Sequence, residues 1–267
     1  MKVFISADME GLTGTTRWDE CDRTHPSYPK YARIMTEEVV AACRGAFAAG
    51  ATEIVVKDSH ESGCNIDIEA LPEGVKLIRS WSGSPFSMVD GIDGSFDACM
   101  FIGYHSAAGR NGNPLSHTMT GRPCKIRING ELGSEFLLYS YAAALVGVPT
   151  VLLTGDKQLC EDSMHLHPYL ETVAVKDGRG GITINKTPKE TQKLIQAAAE
   201  KALRVNLAAA RASTVLPPHF EMTIEYKEQT DAVRKSHYPG CVLIDERTIR
   251  FETDNFYDIL TAVLFLL

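Results

Sequence analysis

No two cysteines stand in a C-x-x-C pair, and the seven that occur, at positions 21, 43, 64, 99, 124, 160 and 241, are spread singly along the chain. An odd, scattered set is no disulfide frame and no zinc finger, so reduced thiols in a cytoplasmic protein are expected. Long apolar runs are also missing. The closing run from Tyr257 to Leu267 carries Asp258 and falls short of the roughly 18 residues a bilayer requires, so it reads as a buried terminal helix. The opening Met1-Lys2-Val3-Phe4 has no basic segment leading into an apolar one, so no secretory leader is expected. Runs of Lys or Arg that could track a phosphate backbone are absent, and the net charge of -7 comes from 34 acidic against 27 basic residues. Neither nucleic acid nor a membrane is an expected partner. There are no internal repeats, no G-x-S-x-G elbow, no H-E-x-x-H helix and no dinucleotide-binding glycine spacing. Any chemistry must come from residues far apart in the chain.

What is present is an ordinary globular composition, 44% apolar and 23% charged over 267 residues, enough to bury a sizeable core. Strand character over 2–7 is followed by an amphipathic stretch over 31–49 that stops at Gly50, then by a second strand over 53–57. Strand, helix, strand implies a parallel sheet with right-handed crossovers. Further strands are expected at 76–78, 98–102 and 150–153, with a strand and turn over 125–130 and a helix over 134–146. Thr187-Pro188 opens a long helix reaching about Ala210, and strands at 220–226 and 248–252 flank a helical segment at 229–236. The expected architecture is a three-layer α/β/α fold with a mainly parallel sheet plus a smaller α+β subdomain. The catalytic domain is placed at 1–186 and the subdomain at 187–267, a division that need not be continuous.

Each early strand runs into a polar cluster, and ligands of open parallel sheets gather beyond the carboxyl ends of the strands. Asp8 and Glu10 come after the first strand, His60 after the second, and His105 after the strand that ends near Ile102. Taken singly, each would be a turn residue or a helix cap. Two imidazoles and two carboxylates on one rim instead suit Zn²⁺ or a similar ion. A fifth candidate lies in Asn129-Gly130-Glu131-Leu132-Gly133-Ser134-Glu135, where spacing does not separate Glu131 from Glu135. Five protein ligands exceed the three of an open single-zinc site and suit two ions sharing one carboxylate. His117, in a Gly-, Asn- and Pro-rich loop, is open to two readings: a residue beside the metals that donates a proton or steadies the oxyanion, or a surface residue. The pair His165 and His167 precedes Pro168 and is expected to be solvent-exposed, and His25, His219 and His237 have no partners that suggest chemistry.

Ser6-Ala7-Asp8-Met9-Glu10-Gly11 resembles the S-x-D-x-E-G signature of the D-aminopeptidases of the dipeptide-operon type. The likeness continues in the family's order through Asp58-Ser59-His60, Pro85-Phe86-Ser87-Met88-Val89, Gly103-Tyr104-His105, Ser116-His117 and Gly155-Asp156. The resemblance implies two zinc ions per subunit held by Asp8, Glu10, His60, His105 and Glu135, with His117 at the position of the family's catalytic histidine. Glu135 is preferred to Glu131 because counting back from Val148-Pro149 aligns it with the family's ligand glutamate, although Ser134 stands where the family often has glycine. It also implies release of N-terminal D-residues from short peptides and a ring-shaped homodecamer. Two alternatives remain beside a metallo-aminopeptidase: a related metal-dependent amidase or phosphoesterase, and a peptide-binding protein with structural metals. No clustered Arg/Lys phosphate clamp accompanies the motifs, and structural zinc sites are usually rich in Cys.

Overall fold

The computed structural model describes residues 1–267. Its first strand, β1 (Lys2–Ala7), is buried from Val3 onward, as befits a strand covered on both faces. α1 (Tyr28–Ala48) carries a proline in its first turn, where a missing N–H costs no hydrogen bond, and stops before Gly50 at φ +94°. β2 (Glu53–Asp58) returns parallel to β1 in full register, from Lys2 opposite Glu53 to Ala7 opposite Asp58. β3 (Val75–Ile78) pairs outside β2, and β4 (Ala98–Tyr104) pairs with the other edge of β1.

The chain then leaves this sheet for β5 (Pro123–Ile128), β6 (Glu131–Leu132) and α2 (Glu135–Leu145). It returns through β7 (Thr150–Asp156), α3 (Lys157–Ser163), β8 (Glu171–Arg179) and β9 (Ile182–Asn185). The seven strands lie in the order β3-β2-β1-β4-β7-β8-β9, all parallel to their neighbours except β9, which folds back on β8. α4 (Pro188–Leu203) comes next. The single helix expected to reach Ala210 is interrupted, because Asn206 accepts a bond from Ala209 N at 3.0 Å and starts a separate helix, α5 (Leu207–Ala212). The remainder comprises β10 (Phe220–Tyr226), α6 (Gln229–Lys235), β11 (Cys241–Leu243), β12 (Thr248–Thr253) and α7 (Phe256–Leu266).

Two cores flank the main sheet. Val3, Ile5, Val56 and Met100 pack against α1 and α4, while Phe4, Val55, Phe101 and Leu153 face α2 and, beyond it, α7 and a second sheet. That sheet is antiparallel, ordered β11-β12-β10-β5-β6. β10 buries Phe220, Met222, Ile224 and Tyr226 at the two-residue period of a strand covered on one face. α7 buries Phe256, Ile259, Leu260, Val263 and Leu266, so the apolar terminal run is core.

This is a three-layer α/β/α arrangement with a mainly parallel sheet and an α+β portion, but a division at 186/187 does not follow the sheets. β5 and β6, from the middle of the chain, pair in the antiparallel sheet, and α4, placed after the expected boundary, packs on α1 over the parallel one. Strand edges and apolar helix faces choose partners by complementarity, without regard to chain order. The consequence for the site is direct: α2, which opens with Glu135, is inserted between the two sheets beside β4.

Candidate metal centre

The carboxyl ends of β2, β1 and β4 lie side by side, and two glycines let the loops beyond them touch. Gly11 N donates to Gly103 O at 2.8 Å. A Cβ on Gly11 would lie 1.7 Å from the Tyr104 carbonyl oxygen, and one on Gly103, at φ +76°, would lie 2.3 Å from that of Asp8. No side chain fits at either position, and the approach draws Asp8 and His105 into one cleft.

Asp8 sits at its centre. Its Oδ1 lies 3.4 Å from His60 Nδ1 and its Oδ2 lies 3.4 Å from His105 Nε2. Glu10 Oε2 approaches His60 Nδ1 at 3.0 Å, and Glu135 Oε2 approaches His105 Nε2 at 3.3 Å. Each imidazole turns its other nitrogen to the backbone, His60 Nε2 to Cys21 O and His105 Nδ1 to Ser106 O, both at 3.0 Å. Such outer bonds fix the tautomer of a metal-binding histidine and aim its remaining nitrogen inward. Glu135 is the first residue of α2, whose Ser134 cap accepts from Leu137 N at 3.0 Å. Spacing in the sequence left Glu131 and Glu135 level; the fold separates them, with Glu131 exposed near His165 and Glu135 buried in the cleft.

The donors suit a cation because they are left short without one. Asp8 Oδ2 and His105 Nε2 are buried and lack any hydrogen-bond partner, and Glu10 Oε2 is buried with only the misaligned His60 ring 3.0 Å away, a costly state for groups able to coordinate a metal. Burial, then the charge of Glu10, pushes the Asp8 carboxyl up to about 8. Burial would lower His105, but the charges of Glu135, Asp8 and Glu10 raise it to about 10. His60 is likewise raised well above an ordinary histidine: burial opposes this, and the carboxylates of Glu10 and Asp8 outweigh it. Protonated imidazoles thus supply the positive charge these carboxylates demand, and a bound cation would take over that role.

His117 stands beside this cluster. Its ring stacks on His105, with centroids 4.3 Å apart and planes 8° from parallel, and Trp18 meets it edge-on at 5.2 Å. Nδ1 is held at 2.8 Å by Leu115 O, whereas Nε2 lies 3.6 Å from Glu135 Oε1, too far for a hydrogen bond. The cleft has a volume of about 570 Å³, in the range of small-molecule sites. Its walls include Trp18, Trp81, Met88 and Met119, with Asp22 and Glu61 at an exposed rim and no Lys or Arg.

Several supporting residues, Lys176, Asn113 and Cys21 among them, carry no signal in the sequence. Lys176 is buried and donates to Glu10 O and Thr15 O, and Asn113 Nδ2 donates to Glu10 O at 2.9 Å. Asp58 accepts from Asn65 Nδ2 at 2.7 Å, and the same amide donates to His60 O at 2.7 Å. Cys21 places its sulfur within 4.8 Å of donor atoms of Glu10 and His60. A lysine inside a strand whose flanking residues Ala174, Val175 and Asp177 carry no common motif offers no local clue, and a cysteine without a paired cysteine does not read as a ligand. Ser59, next to Asp58, bonds to Met88 O at 2.8 Å and takes no part in a triad.

The outlying histidines divide. His165 is exposed, as expected, but His167 is buried against Phe136 and Tyr141, with ring centroids 6.0 and 6.4 Å away. Its expected exposure is corrected: the ring packs against Phe136 and Tyr141 of α2. His25, His219 and His237 are exposed and do not line the cleft, although His25 N donates to the rim residue Asp22 at 2.9 Å.

A mainly parallel sheet with buried carboxylate and imidazole groups gathered at its carboxyl edge is the arrangement of an α/β metal-binding protein. A family model described as D-aminopeptidase matches residues 1–265, and the chain belongs to that family. A curated D-aminopeptidase of Bacillus subtilis (strain 168) is 36% identical over 176 residues, a match that covers 66% of this chain and 64% of that protein. A solved structure, described as the Zn-dependent D-aminopeptidase DppA from Bacillus subtilis, a self-compartmentalizing protease, superposes with a TM-score of 0.90. It is 28% identical, and the match covers 100% of this chain and 96% of that one.

Proposed function

We propose that this chain is a zinc-dependent aminopeptidase that releases N-terminal D-residues from short peptides, with two zinc ions per subunit. The observation that carries the reading is Asp8, whose two oxygens face different histidines, each with its own glutamate. His60 and Glu10 would hold one ion, His105 and Glu135 the other, and Asp8 both. At that position zinc would supply Lewis-acid polarisation of a peptide carbonyl and a nucleophilic water at neutral pH.

The chain's own residues complete the chemistry. With Nδ1–H donated to Leu115 O, His117 keeps the lone pair on Nε2 free over the cleft. That nitrogen takes a proton from the attacking water and returns it to the departing amine. A lining with Asp8, Glu10, Asp22, Glu61 and Glu135 but no Lys or Arg suits a substrate with a free α-ammonium and disfavours a phosphate ester. The preference for D-residues draws on the family and on the relatives' descriptions.

A homo-oligomer, a decamer by family resemblance, is part of the same reading. Val242 and Leu243 on β11, Ile244 just beyond it, and Leu264 and Phe265 on α7 present exposed apolar surface that such contacts would cover. A cytoplasmic setting accords with seven free cysteines; no helix is long and apolar enough to cross a membrane. Metal analysis combined with D- against L-alanyl peptide hydrolysis on one sample tests site and substrate together. Two zinc ions and D-selective cleavage are expected; hydrolysis that survives full chelation would overturn the reading.

A further inference from the structure

The cleft holds one strong donor that the five-residue ligand set does not use. Cys21 comes directly after the short turn at Trp18–Glu20 and is 3% exposed, with its side chain lining the metal cleft. Its sulfur, a Glu10 oxygen and a His60 nitrogen lie within 4.8 Å of one another, and Glu10 Oε2 is buried with only the misaligned His60 ring 3.0 Å away. The backbone of the same residue is tied to the same imidazole, since Cys21 O accepts from His60 Nε2 at 3.0 Å. Zinc–sulfur bonds of about 2.3 Å and zinc–oxygen or zinc–nitrogen bonds of about 2.0–2.2 Å, at tetrahedral angles, set two donors of one ion about 3.6 Å apart. The donor atoms, within 4.8 Å of one another, close to that spacing by a movement of about 1 Å, which rotation of the Cys21 side chain supplies.

We propose that Cys21 is a thiolate ligand of the metal held by Glu10 and His60, which makes the two halves of the centre chemically unequal. The bond forms as the thiol releases its proton to solvent and sulfur donates the freed electron pair to the cation, with no change of oxidation state. Without a cation, burial and then the charge of Glu10 push the thiol up; a divalent ion reverses that local balance. The sulfur half would hold a soft ion such as Cd²⁺ in preference to Mn²⁺, whereas the His105–Glu135 half has only oxygen and nitrogen donors.

This inference rests on the metal centre proposed above, and cobalt separates the two. The metal-free full-length protein is titrated with Co²⁺ and its absorption recorded from the near-ultraviolet to the red, in parallel with Cys21→Ser. Visible ligand-field bands report cobalt in the site; an intense near-ultraviolet sulfur-to-cobalt band reports thiolate ligation. The expected result is both sets in the parent and complete loss of the near-ultraviolet band in Cys21→Ser, with visible bands retained. Visible bands without the near-ultraviolet band in the parent would overturn the cysteine ligand and leave the metal centre standing. No cobalt bands at all would overturn both. The ¹¹³Cd resonance of the parent protein needs no variant: a downfield position typical of a thiolate ligand supports the inference, and one typical of oxygen and nitrogen donors alone refutes it.

Discussion

Replacing His117 with alanine isolates the proposed proton carrier from the metal ligands. The ring is anchored at 2.8 Å to Leu115 O, and its free Nε2 lies 3.6 Å from the nearest carboxylate, so its removal leaves the donors of Asp8, Glu10, His60, His105 and Glu135 in place. Loss of a positioned acid–base group typically costs about 10²- to 10⁴-fold in rate, equivalent to roughly 3–5 kcal/mol of transition-state stabilisation at about 1.4 kcal/mol per factor of ten. The ring also stacks on His105 and meets Trp18 edge-on, and losing those contacts costs about 1 kcal/mol of stability. The variant should therefore fold, retain its zinc and lose at least about 99% of kcat/KM on a short D-alanyl peptide. Elemental analysis and initial rates on one preparation decide it. Activity within a few-fold of the parent would remove His117 from the chemistry, and loss of zinc along with activity would make it a ligand instead.

Asp8→Ala should lose both ions, because each half of the cluster depends on one of its oxygens; elemental analysis finding two zinc ions in the variant would refute the shared role. Gly11→Ala places a methyl group 1.7 Å from a backbone oxygen of β4, and thermal unfolding should show destabilisation of about 4 kcal/mol or more, with no change in melting temperature as the contrary result. His167 is buried and uncharged, its imidazole pushed by burial from 6.5 down to about 4. The unfolded chain therefore binds this proton more readily, so the native state loses up to about 3 kcal/mol as pH falls from about 6.5 toward about 4, with no penalty above that window. His167→Leu should flatten the fall in melting temperature over that interval, and an unchanged slope would show that other groups govern acid sensitivity.

Much of the centre was legible in the sequence because parallel strands bring the residues just past their carboxyl ends to one edge. Asp8, Glu10, His60 and His105 each lie there, and a βαβ order is enough to bring those positions together. The motif resemblance named Glu135, which spacing had not separated from Glu131. Other residues left no trace. His167 lies next to a proline in a polar stretch, and only its seat against Phe136 and Tyr141 shows it to be core.

The amino-acid sequence by itself determined the parallel sheet, the rim that collects its polar residues and the types of donor found there, because hydrophobic period and strand-end chemistry are local properties. The tertiary structure alone decided that α4 belongs with α1, that β5 and β6 belong with the C-terminal strands, that Cys21 and Trp18 line the cleft, and that Lys176 holds the backbone of Glu10. Those outcomes depend on which apolar faces and strand edges fit one another across long separations. No window of sequence contains that information.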